Sequence, residues 1–222
     1  MIESPAQCAG FPFGIKCGKV FPMPPRALRI GLFGGAFDPP HLGHGIAIRQ
    51  LLDSGLFDEI WVVPSGFRRD KQSVANPKER LEMTERFIRS LFFTEEPVKI
   101  RSHLVERPDT LPFTVDEIEF LKEKYPDATF TVSVGPDQAR VLDFWHRAKD
   151  LFALVDFAVL VRDGRPGNIP KGCRATILDP GANPWMDISS TELRRRLKEG
   201  RSVSGLTPLP VIEFIAKRGL YR

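Results

Sequence analysis

The stretch that most limits what this chain can become is Gly31-Leu32-Phe33-Gly34-Gly35-Ala36-Phe37-Asp38-Pro39-Pro40-His41-Leu42-Gly43-His44. Residues 29–33 read as a short buried strand, and residues 42–52 carry apolar side chains at helical spacing. Between them stand paired glycines, two prolines and two histidines. A strand, a tight turn and a helix in that order leave the first helical N–H groups unpaired and put the positive end of the helix dipole at the turn. A phosphate can sit there, with Gly34 and Gly35 letting the backbone come close and with His41 and His44 on either side. The glycine pattern of dinucleotide-binding loops is absent, as is the glycine–lysine ending of the Walker loop, so neither accounts for these glycines. A single histidine near a helix start is commonly a solvated or capping residue; two at His-x-Gly-His spacing in this turn favour chemistry.

Beyond this unit the chain alternates. Gly55 suits the C-cap of the first helix, and residues 58–64 give a second strand that ends at its proline. Residues 65–76 are a polar loop carrying Arg68, Arg69 and Lys71 just past that strand, where open parallel sheets place ligands, although a charged loop is otherwise simply solvated. Pro77 suits the first turn of a helix running to about residue 93, with Leu81, Phe87, Ile88 and Leu91 as its inward stripe. Residues 97–102 read as another strand. Thr114 and Glu117 then have capping-box spacing at the head of a helix that continues to about residue 124.

Residues 128–134 form the clearest strand, and it delivers Gly135-Pro136-Asp137 to a helix start where Asp137 suits an N-cap. Trp145 and His146 precede a helical stretch ending near Leu151, and residues 155–161 are an apolar buried strand followed by a loop that begins with Arg162. Residues 175–178 make a last strand. Ser189 and Glu192 open a helix at capping-box spacing, and Thr207-Pro208 starts a final one with Val211, Ile212, Phe214 and Ile215 as its packing face. The alternation predicts an α/β fold with a doubly wound, mainly parallel sheet, whose right-handed crossovers bring the helix starts at residues 42 and 190 to one sheet edge.

The 222 residues, 42% of them hydrophobic and 27% charged, fit one domain over residues 28–222. Residues 1–27, with three glycines, five prolines and Phe11, Phe13 and Phe21 in no regular period, read as an irregular N-terminal extension that packs on the domain or on a second subunit of a homo-oligomer. It lacks the pattern of a secretory signal, and no run is long enough to cross a bilayer, so a cytoplasmic protein that binds no membrane is expected. Cys8, Cys17 and Cys173 have neither disulfide-framework nor zinc spacing, and there is no carboxylate cluster to cage a metal. The net charge of +4 suits anionic ligands or simply solubility. Arg194 to Arg201 is basic but has no interleaved aromatics, which argues against nucleic acid as a partner.

The His-x-Gly-His spacing resembles the signature of the nucleotidylyltransferase superfamily. The longer string from Gly34 to His44 is similar to that of the nicotinate/nicotinamide mononucleotide adenylyltransferase family, as are Arg80 and Met83 and the run Ile188-Ser189-Ser190-Thr191-Glu192-Leu193-Arg194. The resemblance covers residues 29–221. It implies a Rossmann-like nucleotidylyltransferase fold and the transfer of AMP from ATP, with its Mg²⁺, to nicotinate mononucleotide. It implies catalytic roles for His41, His44, Lys71 and Arg194. ATP would be bound through Gly34, Gly35, Phe37, Gly43, Gly135, Asp137, Ile188, Ser189, Ser190 and Thr191, with Asp137 on ribose hydroxyls. The pyridine mononucleotide would be bound through Ala36, Phe113, Thr114, Trp145 and Arg162. Two turns depart from the family pattern: Arg68-Arg69-Asp70 stands for Pro-Pro-His before Lys71, and Pro112-Phe113-Thr114 for Ser-Tyr-Thr. The amide mononucleotide or phosphopantetheine as acceptor, a cytidylyltransferase, or a nucleotide sensor without turnover are the alternatives.

Overall fold

The computed structural model describes residues 26–66, 74–107, 111, 113–161, 168–178 and 186–222. Lys71, Arg162, Pro112 and nearly all of the predicted N-terminal extension lie outside them. The strands are β1 (Leu28–Gly35), β2 (Glu59–Pro64), β3 (Val98–Ile100), β4 (Ala128–Val134), β5 (Asp156–Leu160) and β6 (Ala175–Leu178). They form one sheet in the order β3-β2-β1-β4-β5-β6. Every neighbouring pair is parallel. The chain builds outward from β1 to β3, then returns to lay β4 against the other side of β1. That reversal opens a crevice at the carboxyl ends of β1 and β4, where a doubly wound sheet receives its ligands.

Among the described residues eight α-helices connect or flank these strands: α1 (Leu42–Asp53), α2 (Pro77–Leu91), α3 (His103–Glu106), α4 (Thr114–Lys124), α5 (Pro136–Ala139), α6 (Ala148–Leu154), α7 (Ser190–Lys198) and α8 (Leu209–Arg218). Strand side chains alternate between two cores, as a period of two requires. Ile30, Leu32, Trp61, Val63, Phe157 and Val159 meet Val115, Ile118, Leu121, Leu151 and Phe152 of α4 and α6. Phe33, Ile60, Val62, Ala158 and Leu160 meet Ile48, Leu51, Met83, Phe87, Val211 and Phe214 of α1, α2 and α8. With both faces covered, the central strands are near-continuous apolar runs. Among the described residues no helix is long and apolar enough to cross a membrane.

Four local expectations are corrected. The buried stripe of α2 is Arg80, Met83, Thr84, Phe87 and Ile88, whereas Leu81 is half-buried and Leu91 is exposed. Arg80 can face inward because carbonyl oxygens receive its guanidinium, and the Thr84 hydroxyl turns back to Arg80 O at 2.7 Å. At α4 the cap is Phe113, with its N–H on Asp116 Oδ2 at 3.3 Å; Thr114 is the first helical residue. Glu117 turns inward to His103 Nε2 at 2.9 Å, so it is not available to close a box. At α5 the cap is Gly135, and Asp137 is exposed in the first turn. At α7 Ser189 Oγ accepts from Glu192 N at 3.2 Å, while the Glu192 carboxylate pairs with Arg195 and closes no box.

Candidate active site

The turn after β1 has two prolines and so lacks two backbone donors, but it presents a full row of carbonyls that need partners. The C-terminal third of the chain supplies them. Arg194 Nη1 donates to Asp38 O at 2.7 Å, Ser190 Oγ to Pro39 O at 2.9 Å, and Thr207 Oγ1 to Pro40 O at 2.9 Å. Leu42 N–H is taken by Leu206 O at 2.9 Å. The start of α7 is thereby fastened to the start of α1, the convergence the topology predicts.

The Asp38 carboxylate is the second anchor. It accepts from Val74 N at 2.9 Å, Ala75 N at 3.1 Å and the Tyr221 hydroxyl at 2.7 Å. Burial and then the Asp38 charge push the Tyr221 hydroxyl well above the ordinary tyrosine range, so it remains a donor. Arg80 is the third. Its guanidinium donates to Ala36 O at 2.8 Å, Ser65 Oγ at 3.1 Å, Gly66 O at 2.7 Å and Ala75 O at 3.3 Å, joining the loops that follow β1 and β2. Each of these groups holds backbone that borders the crevice.

Upon this frame sit the two histidines. His41 is the N-cap of α1 and is 5% exposed. Its ring stacks on that of His44 with centroids 3.8 Å apart and planes at 29°. His41 N–H donates to His44 Nδ1 at 3.1 Å. In the neutral imidazole of His44 the proton is therefore on Nε2, which makes that nitrogen a donor. Phe37 backs the His44 ring edge-on at 5.0 Å.

Two glycines of the motif make room for these rings. A Cβ on Gly35 would lie 3.0 Å from the Phe37 ring, and one on Gly43 would lie 3.0 Å from His41 Nδ1. A Cβ on Gly34 would meet nothing within 4 Å, so Gly34 is where the strand end is open to a ligand. Phe37, only 1% exposed and at φ 51°, is thus a core support of His44 and not a surface for the nucleotide. Of the first N–H groups of α1, those of Leu42 and His44 are already bonded, the latter to His41 O at 2.8 Å. Gly43, between them, lines the cleft.

That cleft is lined by Phe33 and Gly135 at the strand ends, by His41, Gly43, His44, Ile46, Ala47 and Gln50 of the α1 segment, and by Leu160, Val161, Met186 and Ile188. Ser189 and Thr191 are exposed beside it, and Arg194 Nη2 contacts Thr191 Oγ1 at 3.3 Å. Arg195 points away, paired with Glu192 and Glu199, and Arg196 donates to Ser202 O. At the same end of the sheet, α4 begins beside the loop after α5: Phe113 stacks on His146 with centroids 4.0 Å apart and planes at 23°. Phe113, Thr114 and the half-buried Trp145, which packs on the α4/α6 core, are therefore neighbours. Among the described residues no group of three or more His, Cys, Asp or Glu is placed to hold a metal ion.

Asp38, Gln50 and Tyr221 belong to this site although no sequence pattern assigns them a role. Gln50 had a weak signal, lying three residues after Ala47 as Ala47 lies three after His44, a row that drifts around α1. Asp38 and Tyr221 had none beyond their places in longer matching strings, because their partners lie 36 to 183 residues away.

Two imidazoles stacked at a helix start, with a guanidinium from a second helix start fastened to the same turn, are donors of the kind that phosphoryl oxygens require. The Cytidylyltransferase-like family model matches residues 32–196 of the chain. A protein of Exiguobacterium sibiricum named "Probable nicotinate-nucleotide adenylyltransferase" is 34% identical over 195 residues, which span 87% of this chain and 99% of that protein. One of the same name from Thermus thermophilus is 37% identical over 196 residues, 88% of this chain and 100% of that one.

The chain belongs to the nicotinate-nucleotide adenylyltransferase family. Its fold is also that of Plasmodium falciparum nicotinic acid mononucleotide adenylyltransferase complexed with NaAD, with a TM-score of 0.73, 22% identity, and coverage of 87% of this chain and 97% of the other. In this member of the nicotinate-nucleotide adenylyltransferase family, the shared stretch includes the whole turn from Gly34 to His44 and the start of α7 through Arg194.

Proposed function

We propose that the chain transfers AMP from ATP to nicotinate mononucleotide, yielding deamido-NAD and pyrophosphate. The observation that carries this reading is the convergence of the stacked His41–His44 pair and Arg194 at the reversal point of the sheet. ATP enters with its Mg²⁺ as part of the substrate. Its adenosine lies along the cleft beside α1, and its phosphates lie at the α1 and α7 helix starts, where the dipoles and His44 Nε2–H meet negative charge.

An oxygen of the mononucleotide 5′-phosphate attacks the α-phosphorus of ATP. A new P–O bond forms, the bond to the β-phosphate bridging oxygen breaks, and pyrophosphate leaves with the electron pair. No protein nucleophile is needed, because the attacking phosphate is already anionic. The protein contributes alignment and charge stabilisation: His44 on the transferring phosphoryl oxygens, His41 and Arg194 on the turn and the outer phosphates, with Lys71 as a further cation on the leaving group. Ser190 and Arg194, which hold the Asp38-Pro39 carbonyls, keep the two phosphate-binding helix starts at a fixed separation. Phe113, Thr114, Trp145 and Arg162 receive the pyridine nucleotide.

The test is product identity. The protein is incubated with ATP and Mg²⁺ and, in parallel, nicotinate mononucleotide, nicotinamide mononucleotide or phosphopantetheine, and pyrophosphate and adenylylated product are measured. Deamido-NAD as the main product is expected. Exclusive adenylylation of phosphopantetheine, or ATP binding with no pyrophosphate, would overturn the proposal.

A further inference from the structure

Gln50 is a polar side chain with no structural partner among the described residues. It lies in the middle of α1 and is 8% exposed, and its side-chain amide makes no hydrogen bond to any of them. The amide is not sealed off: it keeps access to the cleft, where water meets it in the free protein and an entering ligand can take that water's place. Gln50 lines the same cleft as His41 and His44, which Leu160, Val161 and Ile188 also line with apolar surface. Gln50 is six positions after His44, a helical rise of about 9 Å. That is room for a ribose and a base in series between a phosphate at His44 and the Gln50 amide. The apolar side chains that share this cleft suit the faces of an aromatic ring.

Resting on the proposed ATP-dependent reaction, we propose that Gln50 is the residue that reads the base of the nucleotide. Its amide offers one acceptor and one donor side by side. On an adenine edge it accepts from the exocyclic amine through Oε1 and donates through Nε2 to the adjacent ring nitrogen. Guanine, seen along its O6 and N7 edge, presents two acceptors, and one of them would face the Gln50 oxygen. The base thereby takes the place of water on the amide.

The experiment measures dissociation constants by calorimetry for ATP and for purine riboside 5′-triphosphate, which lacks the exocyclic amine. The wild-type chain, Gln50→Leu and Gln50→Met are compared, the last being closest in length in case Leu disturbs folding. The wild type is expected to bind ATP about tenfold more tightly than the amine-free analogue, the discrimination of one paired edge. Both variants should lose that gap, with ATP weakened more than the analogue, which keeps only the ring-nitrogen contact to the amide. A gap that persists in the variants, a wild type that does not discriminate, or an equal loss for both ligands would overturn the role of Gln50. Adenylyl transfer to nicotinate mononucleotide is followed in the same samples. Its absence with ATP binding intact would overturn the proposed reaction and leave the reading of the base to be decided by the dissociation constants. No ATP binding at all would overturn both.

Discussion

At the scale of single residues, the histidines were legible and their division of labour was not. Spacing alone put His41 and His44 at a helix start; only the bond from His41 N–H to His44 Nδ1 shows that His44 presents Nε2–H. If that donor strengthens as charge moves onto the phosphoryl oxygens, His44→Ala is expected to lower kcat by about 10²-fold with little change in ATP affinity. Steady-state kinetics with unaltered turnover would remove His44 from the reacting centre. Arg80 shows the opposite case, a residue recognisable in a matching string whose bonds to the described residues all hold the frame. Arg80→Met strips the donor from Ala36 O, Gly66 O and Ala75 O at once. With a bond to a charged donor worth about 1.5–3 kcal/mol, the loss should total about 3 kcal/mol or more, read as a lower denaturation midpoint at constant m-value. Arg80→Lys keeps the charge but not the fork, and should recover only part of it.

At the scale of elements, strand and helix positions followed from periodicity, but the helix starts did not always follow from their capping strings. Thr114 and Glu117 have the right spacing for a box, yet the pairing of Glu117 with His103 of α3 draws it inward and leaves Asp116 to close on the Phe113 N–H. That exchange bears on the acceptor. A nicotinate carboxylate needs donors, and the Phe113 N–H is already engaged by Asp116. The preference for acid over amide then rests on the Thr114 hydroxyl and the positive end of α4. A helix end acting on a nearby anion is worth about 0.3–2 kcal/mol, so kcat/KM for nicotinate mononucleotide should exceed that for the amide by about 2- to 30-fold. Thr114→Val should shrink the ratio chiefly through KM for the acid. Equal kcat/KM values for the two acceptors in the wild type would place the pyridine substituent elsewhere.

At the scale of the whole molecule, alternation of strand and helix was enough to predict the doubly wound parallel sheet and the meeting of α1 with α7. The closure of the chain upon itself was not, because a buried acceptor at Asp38 and a donor at Tyr221 share no local pattern across 183 residues. The penultimate residue holds the turn that carries His41. Tyr221→Phe leaves the Asp38 carboxylate two backbone N–H donors, Val74 and Ala75, and the distant Arg194 guanidinium at 3.9 Å. The buried carboxylate then lacks one partner, a loss of about 1–3 kcal/mol in unfolding free energy. The same hydroxyl gives a pH signature. Its folded pKa is raised above the unfolded value of 10.0, so its contribution is fully present below pH 10. Above that, the unfolded chain releases the proton while the folded one retains it, and stability falls as pH rises. Denaturant titrations of both proteins from about pH 8 to about pH 11 should show the wild type's advantage over Tyr221→Phe constant on the neutral side and shrinking above about pH 10. An advantage that stays constant to the top of that range would mean that the hydroxyl titrates normally and is not held by Asp38.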